Sequence, residues 1–305
     1  MNPLITKSLE HIYQDAKIAA ASSEPVLILG ETGVGKEVLA RYIHAESRRC
    51  GQPFLPLNCS ALPATLIETE LFGHSQGAFT GAAHGKKGIL EQAEHGTVLL
   101  DEIGDMPVEV QAKVLRVIET GEMWPVGSTA YRRIDVRFIA ATNADVKARL
   151  EHGGFRRDLY YRLNIFLYQL PPLRQKPEEI PSFVEAMLQG EAVLSTPVLE
   201  LFFCYAWPGN IRELKNVITY ARSRASDREI RLEHLPVELV ASCKHPAVLR
   251  GQGLQQKLEC FEAEVLRHTL RLHPDPRDAA AQMGIQLRTL YRRMKKFGIS
   301  TPGRR

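Results

Sequence analysis

Cysteine is scarce and scattered. The five residues Cys50, Cys59, Cys204, Cys243 and Cys260 show no C-x-x-C spacing, which gives no basis for a disulfide framework or a thiolate zinc site and fits a reducing compartment. Long apolar runs are missing too. No stretch approaches the ~18 apolar residues of a membrane-spanning helix, and the N-terminus lacks a basic-then-apolar leader, so no membrane partner is expected and the expected location is the cytoplasm. There is no internal repeat, no low-complexity tract and no large excess of one charge, with 39 Lys and Arg against 35 Asp and Glu giving +4. That small excess is unevenly placed. From Gln286 to Arg305 every charged residue (Arg288, Arg292, Arg293, Lys295, Lys296, Arg304, Arg305) is basic, which makes this end a candidate for binding a polyanion, with a solvated basic tail as the plainer alternative.

What is present is an ordinary globular composition, 44% hydrophobic and 24% charged over 305 residues, enough for roughly two domains of ~150 residues each. Residues 1–24 carry Ile5, Leu9, Ile12, Ala16 and Ala19 at helical spacing, which predicts an amphipathic helix leading into a strand. Between Val26 and about Leu170, short apolar runs (26–29, 97–100, 136–141) alternate with helical patterns such as Glu109 to Thr120. That alternation predicts an α/β unit with a parallel sheet between helices. Pro171 and Pro172 break the chain, and 173–240 reads as helices only. Residues 241–256 read as a linker, and 257–305 returns to helices. The expected domains are therefore 1–172, 173–240 and 257–305.

Two motifs carry chemistry. GETGVGKE (Gly30, Glu31, Thr32, Gly33, Val34, Gly35, Lys36, Glu37) follows the apolar run VLIL and precedes a helical pattern. In the G-x-x-x-x-G-K frame the glycines let backbone N–H groups close around phosphates, the helix N-terminus adds its positive dipole end, and Lys36 supplies a cation to the terminal phosphates. Glu37 stands where the usual loop has a metal-binding Ser or Thr. The second motif is TVLLDEIGD, where an apolar run ends in Asp101 and Glu102. Adjacent carboxylates there are commonly just the start of a loop. Following a phosphate loop, they suit a Walker B site in which Asp101 holds Mg²⁺ through the nucleotide and Glu102 orients or deprotonates the attacking water.

With GAFTGA at 77–82, FRRDLYYRLN at 155–164, LPPLR at 170–174 and WPGNIREL at 207–214, these motifs closely resemble the AAA+ ATPase of bacterial sigma-54-dependent transcription activators, the enhancer-binding proteins. The resemblance runs from about residue 5 to 240, and the C-terminal segment looks like their Fis-type helix-turn-helix. It implies ATP and Mg²⁺ as ligands and assigns roles residue by residue. Asn58 matches an asparagine that restrains the catalytic glutamate, here by donating to Glu102; a polar residue closing a strand is the plainer reading. Asn143 matches the sensor I residue. Arg156 and Arg162 match paired arginine fingers supplied to the neighbouring subunit, an effect worth about 10³ to 10⁵ in rate where a finger acts in trans. Arg212 matches the sensor II arginine of the helical lid. Shared sites imply self-association into a ring, usually a hexamer. Gly77, Ala78, Phe79, Thr80, Gly81 and Ala82 match the tip of an insertion spanning 60–90 that contacts sigma-54, with Phe79 and Thr80 as the grip; a buried turn phenylalanine is the plainer alternative.

In DAAAQMGIQLRTLYRRMKK (278–296), Ala279 to Met283 reads as the first helix of the helix-turn-helix and Gly284 as its turn. Gln286, Arg288, Thr289, Arg292 and Arg293 are the candidate DNA contacts, and Leu287, Leu290 and Met294 the packing face. Cys260 to Leu270 offers an apolar face suited to dimerisation. The expected function is ATP-driven remodelling of the sigma-54 RNA polymerase closed complex from an upstream DNA site. A regulator acting on another sigma factor without turnover and a general AAA+ remodeller are the rivals. No receiver or sensory domain is expected before the ATPase, so control falls to a regulatory protein in trans, to synthesis, or to the rest of a longer chain.

Overall fold

The apolar runs become strands because each is buried on both faces, as parallel sheets require. In a computed structural model that describes residues 6, 9–78, 84–143, 145–242, 266, 269, 270, 273 and 275–299, the chain divides into two compact units. One comprises Met1–Leu194 and Tyr205–Pro236, the other Ser195–Cys204 and Val237–Arg305. Phe79, Thr80, Gly81, Ala82, Ala144, Cys243, Cys260 and the expected linker beyond Ser242 lie outside the described residues.

The first unit begins with α1 (Glu10–Ala21), β1 (Val26–Leu29), α2 (Lys36–Ala45) and β2 (Phe54–Asn58). It continues through α3 (Ala64–Phe72), α4 (Ile89–Gln92), β3 (Thr97–Asp101), α5 (Val108–Thr120), β4 (Glu122–Met123) and β5 (Arg132–Arg133). Then come β6 (Arg137–Thr142), α6 (Val146–Glu151), α7 (Arg157–Leu163), β7 (Phe166–Gln169), α8 (Ile180–Leu188) and β8 (Val193–Leu194). The second unit interposes α9 (Thr196–Cys204), after which α10 (Asn210–Arg224) and β9 (Glu229–Ile230) complete the first.

Strands β2, β3, β6, β1 and β7 lie in that order, all parallel. Alternation along them divides the core. Leu27, Val98, Leu100 and Ala140 face one apolar layer with α3 and α5, while Val26, Ile28, Leu99, Ile139 and Ala141 face the other with α1 and α2. Two of these strands escape the periodicity reading. β2 contains Pro56, which an edge strand tolerates because its missing N–H need not join a ladder. β7 is the opposite edge and alternates buried Tyr168 with exposed Leu167.

Between β2 and β3 the alternation is interrupted as expected, but the interruption has its own structure. His74 bridges Lys86 and Val126, and Gly73 and Gly88 approach so closely that a Cβ on Gly88 would lie 2.3 Å from the Leu71 carbonyl oxygen. The segment 173–240 is not helices only. β8 and β9 form a parallel ladder, Val193 against Glu229 and Leu194 against Ile230. Two residues per strand are too few to produce a period in the sequence.

In the second unit α11 (Val237–Ser242), α12 (Pro276–Gln282) and α13 (Leu287–Lys296) follow α9. Asp275 caps α12, its carboxylate accepting from the Arg277 N–H at 2.8 Å. Leu266, Leu270, Ala279, Ala280, Leu290 and Met294 form its buried core, with Leu287 packed against them.

Leu99 is fully buried at the centre of the β3 ladder. Leu99→Ala is expected to cost about 2 to 5 kcal/mol, the range for a buried leucine whose cavity cannot collapse. Urea unfolding followed by circular dichroism measures it.

Candidate functional site

The site forms where β1, β3 and β6 end together. Their register sets Asp101 between Asn58 of β2 and Ala141 of β6, and Leu29 opposite Thr142. The loop from Gly30 to Gly35 leaves β1 and turns into α2, whose N-terminal N–H groups are the anion-binding end of a helix. Lys36, 6% exposed, folds back across this loop. Its Nζ donates to the Gly30 carbonyl at 2.8 Å and to Glu102 Oε1 at 3.2 Å. Glu37 turns outward to Arg41, which donates to its carboxylate at 2.7 and 2.9 Å.

Glu102 occupies the left-handed region, φ 52° and ψ 46°, a conformation that costs a non-glycine residue of order 1 to 3 kcal/mol and is retained where surrounding contacts hold it. Those contacts are on both carboxylate oxygens. Oε1 takes Lys36, and Oε2 accepts from the Asn143 N–H at 2.8 Å. Asn143 Nδ2 in turn donates to Thr32 Oγ1 at 2.9 Å. The expected Asn58 to Glu102 hydrogen bond is not the one Asn58 makes. Its Oδ1 accepts from the Ser60 N–H at 2.9 Å and from Ser60 Oγ at 2.8 Å, an Asx turn, while the two Glu102 oxygens are taken by Lys36 and Asn143. Burial, and then the Glu102 charge, raise the Asp101 carboxyl above its ordinary pKa, while Lys36 opposes the shift.

A cavity of about 740 Å³ lies over these groups. Its lining includes Thr32 to Glu37, Asn58, Asp101, Glu102 and Asn143, together with Arg212 and Lys215 of α10 and the apolar side chains Tyr13, Leu170, Phe183 and Met187. The structure thus brings together all but Gly30, Glu31 and the two finger candidates. Arg156 and Arg162 do not line the cavity of their own chain. Arg156 is held in an ion pair with Asp158, at 3.0 and 2.7 Å. Arg162 lies 3.8 Å from Glu24, and its Nε is buried without a hydrogen-bond partner among the described residues.

Motif reading assigned no role to Asn210, Arg174 or Lys215. Asn210 and Arg174 stand inside the quoted strings WPGNIREL and LPPLR, and Lys215 lies three residues after Arg212, on the same helix face. Gly33 shows why the loop and α10 must fit closely. With φ +81° it needs glycine, and a Cβ there would lie 2.3 Å from the Gly209 carbonyl oxygen. Its own carbonyl accepts from the Ile211 and Arg212 N–H groups at 3.0 and 3.3 Å.

At the base of the insertion, Ala78 N–H donates to the Ser75 carbonyl at 3.2 Å, and Gly77 has φ 79°. In the second unit, Gln286, Arg288 and Arg292 are exposed, and Thr289 and Arg293 are partly exposed. Arg288 and Arg292 lie on the face of α13 away from its buried Leu290 and Met294, Thr289 and Arg293 border the buried face, and Gln286 is the residue just before the helix. Gly284, φ +62°, forms the turn before it.

Together the five-stranded parallel sheet, phosphate loop, carboxylate strand end and helical lid define an AAA+ P-loop NTPase fold followed by a helix-turn-helix. Comparison with known proteins agrees. Residues 4–169 match the Sigma-54 interaction domain, 174–250 the AAA+ ATPase lid domain, and 257–297 the bacterial regulatory protein, Fis family. The chain belongs to the sigma-54 interaction domain family, that of the sigma-54-dependent activators. It is 40% identical to the DNA-binding transcriptional activator HyfR of Escherichia coli (strain K12), over 97% of this chain and 47% of that protein. It is also 44% identical to a Geobacillus stearothermophilus protein named limonene hydroxylase, over 96% of this chain and 55% of that one. The chain spans about half the length of these relatives. Among solved structures it resembles NtrX from Brucella abortus in complex with ADP, with a TM-score of 0.77, 28% identity, and coverage of 98% of this chain and 70% of that one.

Gly33→Ala combines left-handed strain with a backbone clash, whereas Gly35, φ +105°, has nothing within 4 Å of a built Cβ. Both alanine variants are expected to lose about 1 kcal/mol or more from strain. Gly33→Ala is expected to melt lower than Gly35→Ala, a difference read by differential scanning calorimetry.

Proposed function

We propose that the protein is an ATP-hydrolysing transcription activator that binds DNA upstream of sigma-54 promoters and remodels the closed RNA polymerase complex into the open one. The observation that carries the reading is the convergence of Lys36, Glu102 and Asn143 on one cavity whose other wall presents Arg212. Membership of the sigma-54 interaction domain family and the nucleotide complexes of NtrX support it.

In this reading the N–H groups of Gly33 to Lys36 hold the phosphates, and Lys36 exchanges Glu102 for the β- and γ-phosphate oxygens. Glu102, released from Lys36, orients the attacking water and takes its proton as general base. Asn143 reads the γ-phosphate, and Asn58 restrains Glu102 by donating to it through Nδ2, in place of a present Glu102 partner. Arg212 reaches the same phosphates from the lid. The apolar wall of Tyr13, Leu170, Phe183 and Met187 accepts the base. The Asp101 carboxylate, an oxygen donor at the end of β3 in the cavity, would hold a hard cation such as Mg²⁺. When bound, it neutralises charge on the transferring phosphoryl group.

Arg156 and Arg162 serve the neighbouring copy in a ring. Neither lines the cavity of its own chain, and Arg156 leaves Asp158 to bind the neighbour's γ-phosphate. Residues 1–172 and 173–240 then act as motor and lid, and 257–305 as the DNA-binding domain in the cytoplasm. Gln286, Arg288, Thr289, Arg292 and Arg293 contact the major groove. Gly77 to Ala82 contact sigma-54.

The deciding experiment is transcription in vitro from a sigma-54 promoter with ATP or a non-hydrolysable analogue. Full-length transcript is expected with ATP alone, and transcript with the analogue overturns the mechanism. Phe79→Ala is expected to keep phosphate release and DNA binding while losing open-complex formation. Arg162→Ala and Lys36→Ala are each expected to be inactive alone and to regain part of the phosphate release when mixed, because each supplies what the other lacks. A mixture as inactive as its components contradicts the shared site.

A further inference from the structure

We propose that Asn210 is a positioning residue for hydrolysis, clasping the lid to the phosphate loop so that the lid's register reaches Glu102. The inference rests on the ATPase reading and extends it to a residue that touches neither phosphate nor water.

Asn210 is fully buried and left-handed, φ 53°, at the first position of α10. An asparagine there is costly unless its amide is fully used, because a buried amide without partners loses its hydration for nothing. Every group of it is engaged. Oδ1 accepts from the Leu173 N–H at 2.8 Å. Nδ2 donates to the Thr32 carbonyl at 3.0 Å and to Glu31 Oε2 at 3.2 Å. One side chain therefore joins the phosphate loop, the connection after β7 and the lid helix.

Glu31 is the outer half of the clasp. A carboxylate in a loop that receives phosphates is electrostatically misplaced unless it is neutralised. Arg174 neutralises it with a fork, Nη1 and Nη2 to the two oxygens at 2.7 and 2.6 Å. Hydrogen bonding from Arg174 first, and from Asn210 in addition, holds the Glu31 carboxyl below its ordinary pKa. The ion pair itself is partly exposed and stabilises the fold little. Its geometry, however, fixes the oxygen that Asn210 binds.

From the clasp, contacts run without a break to the catalytic carboxylate. Thr32 lends its carbonyl to Asn210 and its hydroxyl to Asn143, whose N–H holds Glu102 Oε2, while Oε1 holds Lys36. The Ile211 and Arg212 N–H groups on the Gly33 carbonyl lock the same interface. A shift of α10 therefore moves Arg212 and Lys215 in the cavity and also reaches the carboxylate of Glu102.

The test is hydrogen exchange and steady-state phosphate release on Asn210→Asp, which keeps shape but turns an oxygen toward Glu31 and the Thr32 carbonyl. Exchange of the Ile211 and Arg212 amides is expected to quicken about tenfold, as loss of a charge-linked buried contact implies, with β3 and β6 amides unchanged. Turnover is expected to fall about tenfold or more, with the KM for ATP changing less than kcat. Adding Glu31→Gln, which moves the amide across the contact, is expected to restore part of both readouts. Asn210→Gly, which accepts the left-handed backbone, serves as the variant that folds if the aspartate does not, and is expected to show the same losses. Wild-type exchange and turnover in Asn210→Asp or Asn210→Gly, or no recovery in the double variant, overturn the proposal. If wild-type protein releases no phosphate, the ATPase reading falls, and the exchange arm still decides whether the clasp exists.

Discussion

The site depends on three parallel strands ending level. Because β1, β3 and β6 are neighbours in continuous register, the phosphate loop, the Asp101–Glu102 pair and Asn143 emerge at one edge of the sheet. Open α/β sheets bind ligands outside the carboxyl ends of their strands for this reason. A slip of one residue in β3 would exchange its two apolar faces and send Asp101 to the wrong side. Burial of Val98, Leu99 and Leu100 forbids that slip. The hydrophobic core therefore fixes the chemistry by fixing the register.

Strain marks the same place. Among the described residues, five non-glycine residues have positive φ, and three of them, Glu102, Trp207 and Asn210, belong to the end of β3 at the cavity or to the turn that leads into α10. Each is held by other contacts. Trp207 is fully buried and its ring meets Tyr205 edge-on at 5.0 Å. Glu102 and Asn210 are held by hydrogen bonds on both sides of the cavity. Stored backbone strain of this kind suits groups that change partners during a cycle, because neither arrangement is far below the other in energy.

The sequence made legible whatever is coded locally. The phosphate loop, the apolar strand ending in two carboxylates, and the glycine turn between α12 and α13 are contiguous strings whose spacing carries their geometry. Contacts decided by tertiary approach were less legible. Asn58 is expected to donate to Glu102, yet the Glu102 oxygens are taken by Lys36 and Asn143, which lie 66 and 41 residues away in the chain. Arg174 and Asn210 stood in motifs but received no role, since their common partner Glu31 is more than a hundred residues distant in the chain. β2 hid behind Pro56, and β8 and β9 are too short to show a period.

The central claim is that Glu102 is the base of an ATP-hydrolysing site. It is tested most directly by measuring ATP bound and phosphate released by the wild-type protein and by Glu102→Gln. The expected result is equal binding with release slowed about 10²-fold or more, the usual worth of a positioned base. Equal release by the two proteins would contradict it.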